Sequence, residues 1–387
     1  MKKVIYLLLA TLMVASCTKE EIVNDQIPKG KGRLNISLAS AVPGTRTGGG
    51  DLPTAANEAT IQRITIGIFD NATGTVNTIQ ELLGSSLNGK TAEGIICNAG
   101  DNQDIIVVAN APEGHFKGIT AQKDFIEKAV TLEQTTMING YGVDDYQVAT
   151  SLPMSGMKNV DITIPQTSSD IQTVSLSISR LVARVALESV TMDIEDGCTF
   201  RLMSVELRNV ATTSDVQPDD TIEPVTGDIK NDNDPIDYAW LKHSDIGAGT
   251  DQGTDMNGKE LILNKQKYWF YTFANDTTQT HKKDTRLVIT GEFFDGVTKS
   301  TRYYPVSVNS RNITTTFKDS DKNEIKDGDN AKVGNGVVYR NYSYRISVVI
   351  KGKGVTDIEQ PVIPANLSVT ITPEDWVLDL SQTVTFE

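Results

Sequence analysis

Residues Arg33–Thr47 read R-L-N-I-S-L-A-S-A-V-P-G-T-R-T, with Leu34, Ile36 and Leu38 alternating with Asn35 and Ser37. That period of two is the pattern of a β-strand with one face against a core. Pro43 and Gly44 end the strand, and Arg46 follows in a connector that runs into Gly48, Gly49 and Gly50, where turn-forming residues argue against regular structure. A basic residue just behind a core strand is a protease site at which one cut would free the whole strand. The same residues also suit a plain first strand followed by an ordinary loop, so the remainder of the chain has to separate the two readings.

The chain has 387 residues and a net charge of −14, long enough for about two domains with ample buried core. The acidic balance argues against nucleic acid as a partner, because binding a phosphate backbone needs a basic face to displace its counterions. Aromatic residues make up only 6% of the chain, while valine, isoleucine and threonine recur throughout, as a β-rich protein requires.

The first residues read as an export signal and are set aside from the fold. Lys2 and Lys3 supply its charge, and Val4 to Met13 form an apolar run too short to span a bilayer. Val14-Ala15-Ser16-Cys17 follows, a hydrophobic residue, two small ones and a cysteine, which is the bacterial lipoprotein box. Lipid on the Cys17 thiol would then provide the membrane attachment, since no later run approaches the roughly 20 apolar residues of a spanning helix. Thr18 and Lys19, with no aspartate beside the cysteine, favour the outer membrane. The other cysteines, Cys97 and Cys198, read as buried free thiols more readily than as a disulfide.

Along the chain, Ile61–Phe69, Asp104–Ala111 and Val160–Ile164 read as strands, with turns between the first two. Gln122–Leu132 carries apolar residues at helical spacing and predicts a short helix over one edge. Leu152–Gly156 reads as a turn, and Gln166–Asp170 as a connector. Ile171–Val190 is the longest strand pattern, with a phase change near Arg180 that indicates a bulge or bend. Phe200–Val210, Lys267–Phe273, Thr285–Phe294, Thr301–Val308 and Val337–Lys351 complete the central set, and many short strands with little helix make a β-sandwich the default. Thr212–Asp237 and Lys318–Gly336 read as mobile surface loops. At the end, Leu367, Val369 and Ile371 alternate, Pro373-Glu374-Asp375 interrupts, and Trp376, Leu378, Leu380, Val384 and Phe386 continue on the even positions. An amphipathic terminal strand needs a sheet edge, supplied by its own domain or by a neighbouring molecule.

Sites for chemistry find no support. His115, His243 and His281 are scattered. Asp319-x-Asp321-x-Asn323 begins like a calcium loop, but Glu324 stands where the turn needs glycine and Asn330 where a bidentate glutamate belongs. Neither a nucleophile elbow nor a phosphate-binding glycine loop occurs. No catalytic, metal or cofactor site is expected.

Arg340-Asn341-Tyr342-Ser343-Tyr344-Arg345-Ile346, Gly352-Lys353-Gly354, Asn366-Leu367-Ser368-Val369 and Glu374-Asp375-Trp376-Val377-Leu378, in that order, resemble the FimA-type major fimbrial subunits, the lipoprotein pilins of type V pili in Bacteroidales. Tyr303-Tyr304-Pro305-Val306, Phe273-Ala274-Asn275, Arg180 to Arg184 and Leu152 to Gly156 fit the same family, as do the Cys17 box and the arginine behind the first strand. The resemblance spans essentially the whole chain.

What the resemblance implies is an all-β protein of two transthyretin-like β-sandwich domains with one or two short helices. Residues 1–17 would be the signal ending at the lipidated Cys17, 18–46 a propeptide carrying the removable strand of Leu34, Ile36 and Leu38, 47–166 the first domain and 167–387 the second. An arginine-specific, trypsin-like protease would cut between Arg46 and Thr47. A donor strand drawn from Leu367, Val369, Ile371, Trp376, Leu378, Leu380, Val384 and Phe386 would then fill the groove of the next copy. The partners implied are other copies of the chain, head-to-tail in a cell-surface filament, with accessory anchor and tip subunits. Two other readings stay open at this stage: an anchor or accessory subunit of such a filament, and a monomeric surface lipoprotein that binds glycans.

Overall fold

The computed structural model describes residues 30–40, 55–131, 149–167, 170–216, 238–244, 251–261, 268–276 and 283–375. Its first part contains β1 (Lys31–Ser40), a single helical turn α1 (Ala55–Glu58), β2 (Arg63–Asp70), β3 (Val76–Leu83), β4 (Thr91–Asn98) and β5 (Gly100–Ala109). The short helix α2 (Gln122–Ile126), β6 (Val130–Thr131), β7 (Met154–Ile162) and β8 (Gln172–Arg180) follow. Seven of these strands hydrogen-bond in the order β3-β2-β5-β7-β8-β1-β4. The ladder between β7 and β8 is confined to Met154 with Arg180 and Ser155 with Ser179, so β3-β2-β5-β7 and β8-β1-β4 form two leaves around one core. Gly156 lets the leaves meet, because a Cβ there would lie 1.9 Å from the carbonyl oxygen of Ser177.

The second part contains β9 (Val182–Met192), β10 (Thr199–Ala211), β11 (Thr213–Ser214), β12 (Tyr238–Ser244), β13 (Tyr268–Phe273) and β14 (Asn275–Asp276). It is completed by β15 (Arg286–Phe294), β16 (Lys299–Ser307), β17 (Thr315–Phe317), β18 (Val337–Val338), β19 (Tyr342–Ile350) and β20 (Leu367–Asp375). Sheets β12-β10-β15-β16 and β13-β9-β19-β20-β17 enclose a second core that includes Val185, Leu187, Phe200, Ile289, Tyr304 and Ile346. The molecule is all-β with two sandwich-like cores, as the strand patterns predict.

Several local readings change. β8 pairs with β1 and β7, and the switch of core falls at Leu181 to Ala183, beyond the connector at 166–170. The phase change near Arg180 is this switch, a bend at Leu181 between β8 and β9. β3 and β4 occupy a stretch read as turns, and β7 begins at Met154, inside a predicted turn. β20 runs through Pro373 to Asp375, which pair with Tyr344 and Tyr342, so the expected interruption is part of the strand. The segment 318–336 is tied down: Asn309 Nδ2 donates to the carbonyls of Lys332 and Val337 at 2.8 and 2.6 Å, and Val333 is buried. The predicted loop 212–237 lies mostly outside the described residues.

Candidate functional site

β1 is an interior strand. It pairs in parallel with β8, Leu34 to Ser40 against Gln172 to Ile178, and antiparallel with β4, Lys31 to Ser37 against Asn98 to Thr91. Leu34, Ile36 and Leu38 are 0%, 0% and 3% exposed and pack in the first core with Ala92, Ile95, Val174 and Leu176. At about 1.5 to 3 kcal/mol for each fully buried aliphatic side chain, three such groups are worth roughly 5 to 9 kcal/mol as an upper estimate. Gly32 marks the narrow end of the berth, since a Cβ there would come 2.5 Å from Ile162 Cγ2. Opposite Gly32 stands Cys97, buried and free; burial pushes its thiol up to about 11, so the thiol is protonated and inert.

The direction of the strands fixes the two mouths of this berth. β1 runs alongside β8 toward Leu181, so Ser40 lies at the junction of the two cores and Lys31 at the far end. β20 also runs toward the junction: Asp375 faces Tyr342, and the neighbouring Asn341 amide donates to the Val182 carbonyl at 2.8 Å. The chain therefore leaves β20 at the level where β8 passes into β9.

The junction is a buried polar cluster that sequence reasoning overlooked as a unit. Glu58 on α1, 1% exposed, accepts from Arg184 Nη1 at 3.0 and 2.9 Å and from the Tyr271 hydroxyl at 2.8 Å. Arg180 Nε donates to the Glu58 carbonyl at 3.1 Å, and Arg340 Nη2 donates to Ser179 Oγ at 2.7 Å. Burial lowers the Arg180 guanidinium to about 10, with the Glu58 charge opposing; burial, with the same carboxylate, raises Tyr271 well above its ordinary value. The run R-L-V-A-R at 180–184, two charges within an otherwise apolar strand pattern, is the available signal.

Of the remaining site residues, Leu367, Val369 and Ile371 are 1%, 1% and 0% exposed in the second core, with β20 between β19 and β17. They complete their own sandwich. Cys17, Arg46, Thr47, Trp376, Leu378, Leu380, Val384 and Phe386 lie outside the described residues. Asp319 closes its own turn, accepting from the Asn323 amide at 2.8 Å and from its side chain at 3.0 Å. Among the described residues no group of three or more His, Cys, Asp or Glu is placed to hold a metal ion.

Residues 33–180, the first strand through the end of β8, match the family model described as major fimbrial subunit protein (FimA). The chain is similar to the FimA fimbrial subunits. The curated major fimbrium subunit FimA type-2 of Porphyromonas gingivalis is 24% identical over 427 residues, covering 98% of this chain and 98% of its own length. The solved structure of a P. gingivalis fimbrilin superposes with a TM-score of 0.61 at 19% identity, covering 89% of this chain and 98% of that one. A second structure, from Parabacteroides distasonis and named for cell adhesion, gives a TM-score of 0.61 at 17% identity over 90% of this chain and 99% of that one. These two structures share this chain's all-β fold.

Proposed function

We propose that this chain is the precursor of a polymerising fimbrial subunit that works in adhesion and colonisation at the cell surface. It is exported, lipidated on Cys17 at the outer membrane and cut between Arg46 and Thr47. The cut releases β1, and the tail of another copy takes its place. What carries the reading is the position of β1, a strand at the start of the chain that lies between two others and fills the first core with Leu34, Ile36 and Leu38. Its removal leaves an apolar channel and unpaired backbone on both sides, an edge that invites strand addition.

The insert comes from the residues after Asp375. Leu367, Val369 and Ile371 are committed to their own core, whereas Trp376, Leu378, Leu380, Val384 and Phe386 carry five large apolar groups at alternating positions. Fully buried, these are worth on the order of 10 kcal/mol, reduced by the cost of association. They outweigh the three groups on β1, which gives exchange a direction. A tail that fits another molecule's berth makes a head-to-tail contact, and such contacts propagate into an open filament.

The test uses full precursor with Cys17→Ala, treated with limiting trypsin. A new N-terminus at Thr47, loss of the segment before it and a ladder of oligomers are expected. Clean cutting at Arg46 followed by a stable monomer would overturn the assembly reading and favour a glycan-binding lipoprotein. Deleting Asp379–Glu387 should abolish the ladder and leave a folded monomer.

A further inference from the structure

Among the described residues, the ladders place β4 at the edge of its sheet with β1 as its single strand partner. Its other margin faces β3, the opposite edge, and there a side chain stands in for a ladder. Asn77 Nδ2 donates to the Asn98 carbonyl at 2.9 Å, and the Asn98 amide donates to Asn77 Oδ1 at 2.6 Å. One carboxamide thus reproduces the reciprocal pair of bonds that two backbones exchange. Asn77 Nδ2 also donates to Gln103 Oε1 at 2.9 Å, on β5, which orients the amide and anchors it to an interior strand.

With β1 withdrawn, β4 is held by the Asn88–Thr91 turn at the junction end, by the packing of Ala92, Ile95 and Cys97, and at the far end by its continuation through Ala99 into β5 and by the Asn77 bridge. β8 and β4 run in opposite senses, so a strand entering between them in either direction meets one parallel and one antiparallel neighbour. Half of its backbone groups find partners only where β4 has stayed in place. Building on the strand-release reading, we propose that Asn77 is the positioning residue that holds β4 as the second wall of the emptied berth. The cleaved subunit then offers the tail of a second copy two backbone edges, β8 and β4, instead of one.

The experiment follows hydrogen exchange of the Thr91–Asn98 amides and the rate of ladder formation in wild type and Asn77→Ala, before and after trypsin. In the uncut precursor β1 holds β4, and both proteins protect it equally except at the Asn98 amide, whose acceptor is Asn77 itself. After release of β1 the β4 amides that donated to it lose their acceptor in both proteins; in the ladders that follow, the inserted tail protects wild-type β4 again, while Asn77→Ala exchanges there at least roughly tenfold faster, as expected for losing about two weak hydrogen bonds, and forms ladders correspondingly slowly. Asn77→Asp, which retains an acceptor for the Asn98 amide, falls between them. Equal exchange of β4 in the assembled ladders and equal ladder rates in wild type and Asn77→Ala would overturn the proposal. Retention of the β1 peptide after cutting would instead sink strand release itself; the same comparison on an Ile36→Asp background, where β1 is unseated without proteolysis, then decides the role of Asn77.

Discussion

Arg184 on β9 places one nitrogen 3.0 and 2.9 Å from the two carboxylate oxygens of Glu58 on α1, a buried ion pair that ties the segment after β1 to the first strand of the second core. Arg184 also reaches across to β19, its Nε and Nη2 each 3.2 Å from Ser343 Oγ. Because Glu58 receives the Tyr271 hydroxyl as well, one carboxylate serves several partners in a site closed to water. Removing it would leave a buried positive charge without its counter-ion, which typically costs 3 to 5 kcal/mol. Glu58→Ala is expected to lower the urea midpoint by a corresponding amount, about 3 to 5 kcal/mol in unfolding free energy. The double variant Glu58→Ala with Arg184→Met should recover part of the loss, and a cost below about 1 kcal/mol, the range of exposed pairs, would show that the pair is solvated.

Ile36 sits at the middle of β1 with no exposure. Ile36→Ala leaves a cavity and is expected to destabilise the uncut precursor by about 2 to 5 kcal/mol. Once β1 has been released the residue is gone from the particle, so filaments grown from the variant should melt at the wild-type temperature. Thermal denaturation of precursor and filament, measured side by side, checks both halves.

Cys97 offers a reporter of the berth. Cys97 stands opposite Gly32 in the β1–β4 ladder and its thiol is held protonated by burial, so a maleimide should label Cys198, which is partly exposed, and spare Cys97 in precursor carrying Cys17→Ala. Release of β1 is expected to open Cys97 to labelling, and assembly to close it again. Mass spectrometry of the labelled peptides reads this directly; labelling of Cys97 at the Cys198 rate in intact precursor would contradict the closed berth.

Asp284 gives the second core an acid-sensitive point. Burial alone would raise its carboxyl, but hydrogen bonds from Arg286 and Ser307 outweigh burial and hold it below the ordinary carboxylate value, with Arg286 Nε at 2.9 Å. A carboxylate with a depressed folded pKa contributes stability that is fully present above its unfolded value near 3.8 and is lost as pH falls through the folded value. Asp284→Asn should therefore weaken the protein at neutral pH and flatten the acid arm of its stability profile, followed by urea unfolding from about pH 6 down to about pH 3.

How far the sequence reveals this molecule depends on the residue. Leu34, Ile36 and Leu38 declare a buried face by alternation alone, and they are buried. The strand at β3, V-N-T-I-Q-E-L-L, does not, because it is an edge strand whose core contacts, Val76, Ile79 and Leu82, are only partly buried and fall three residues apart, outside the period of two. β4, T-A-E-G-I-I-C-N, is masked by Gly94 and by the adjacent Ile95 and Ile96, of which Ile95 is buried and Ile96 is 49% exposed. Missing β4 hid half of the candidate site. Pro373 is compatible with β20 because the β17 ladder ends at Ile371, leaving Pro373 paired with β19 alone, whereas in isolation proline reads as a stop. The donor residues divide for a similar reason: alternation is equally clear in Leu367 to Ile371 and in Trp376 to Phe386, but the former already have a core.

By itself the sequence determined that the chain is all-β, that its first strand has a core-facing side, and that Arg46 is the one basic residue between that strand and Ile61. These follow from local alternation and spacing. Only the tertiary structure decided that β1 lies between β8 and β4, parallel to one and antiparallel to the other, and that Asn77 closes the far edge. A side-chain pattern specifies which face a strand buries, whereas hydrogen-bonded neighbours are chosen by backbone register between segments far apart in the chain.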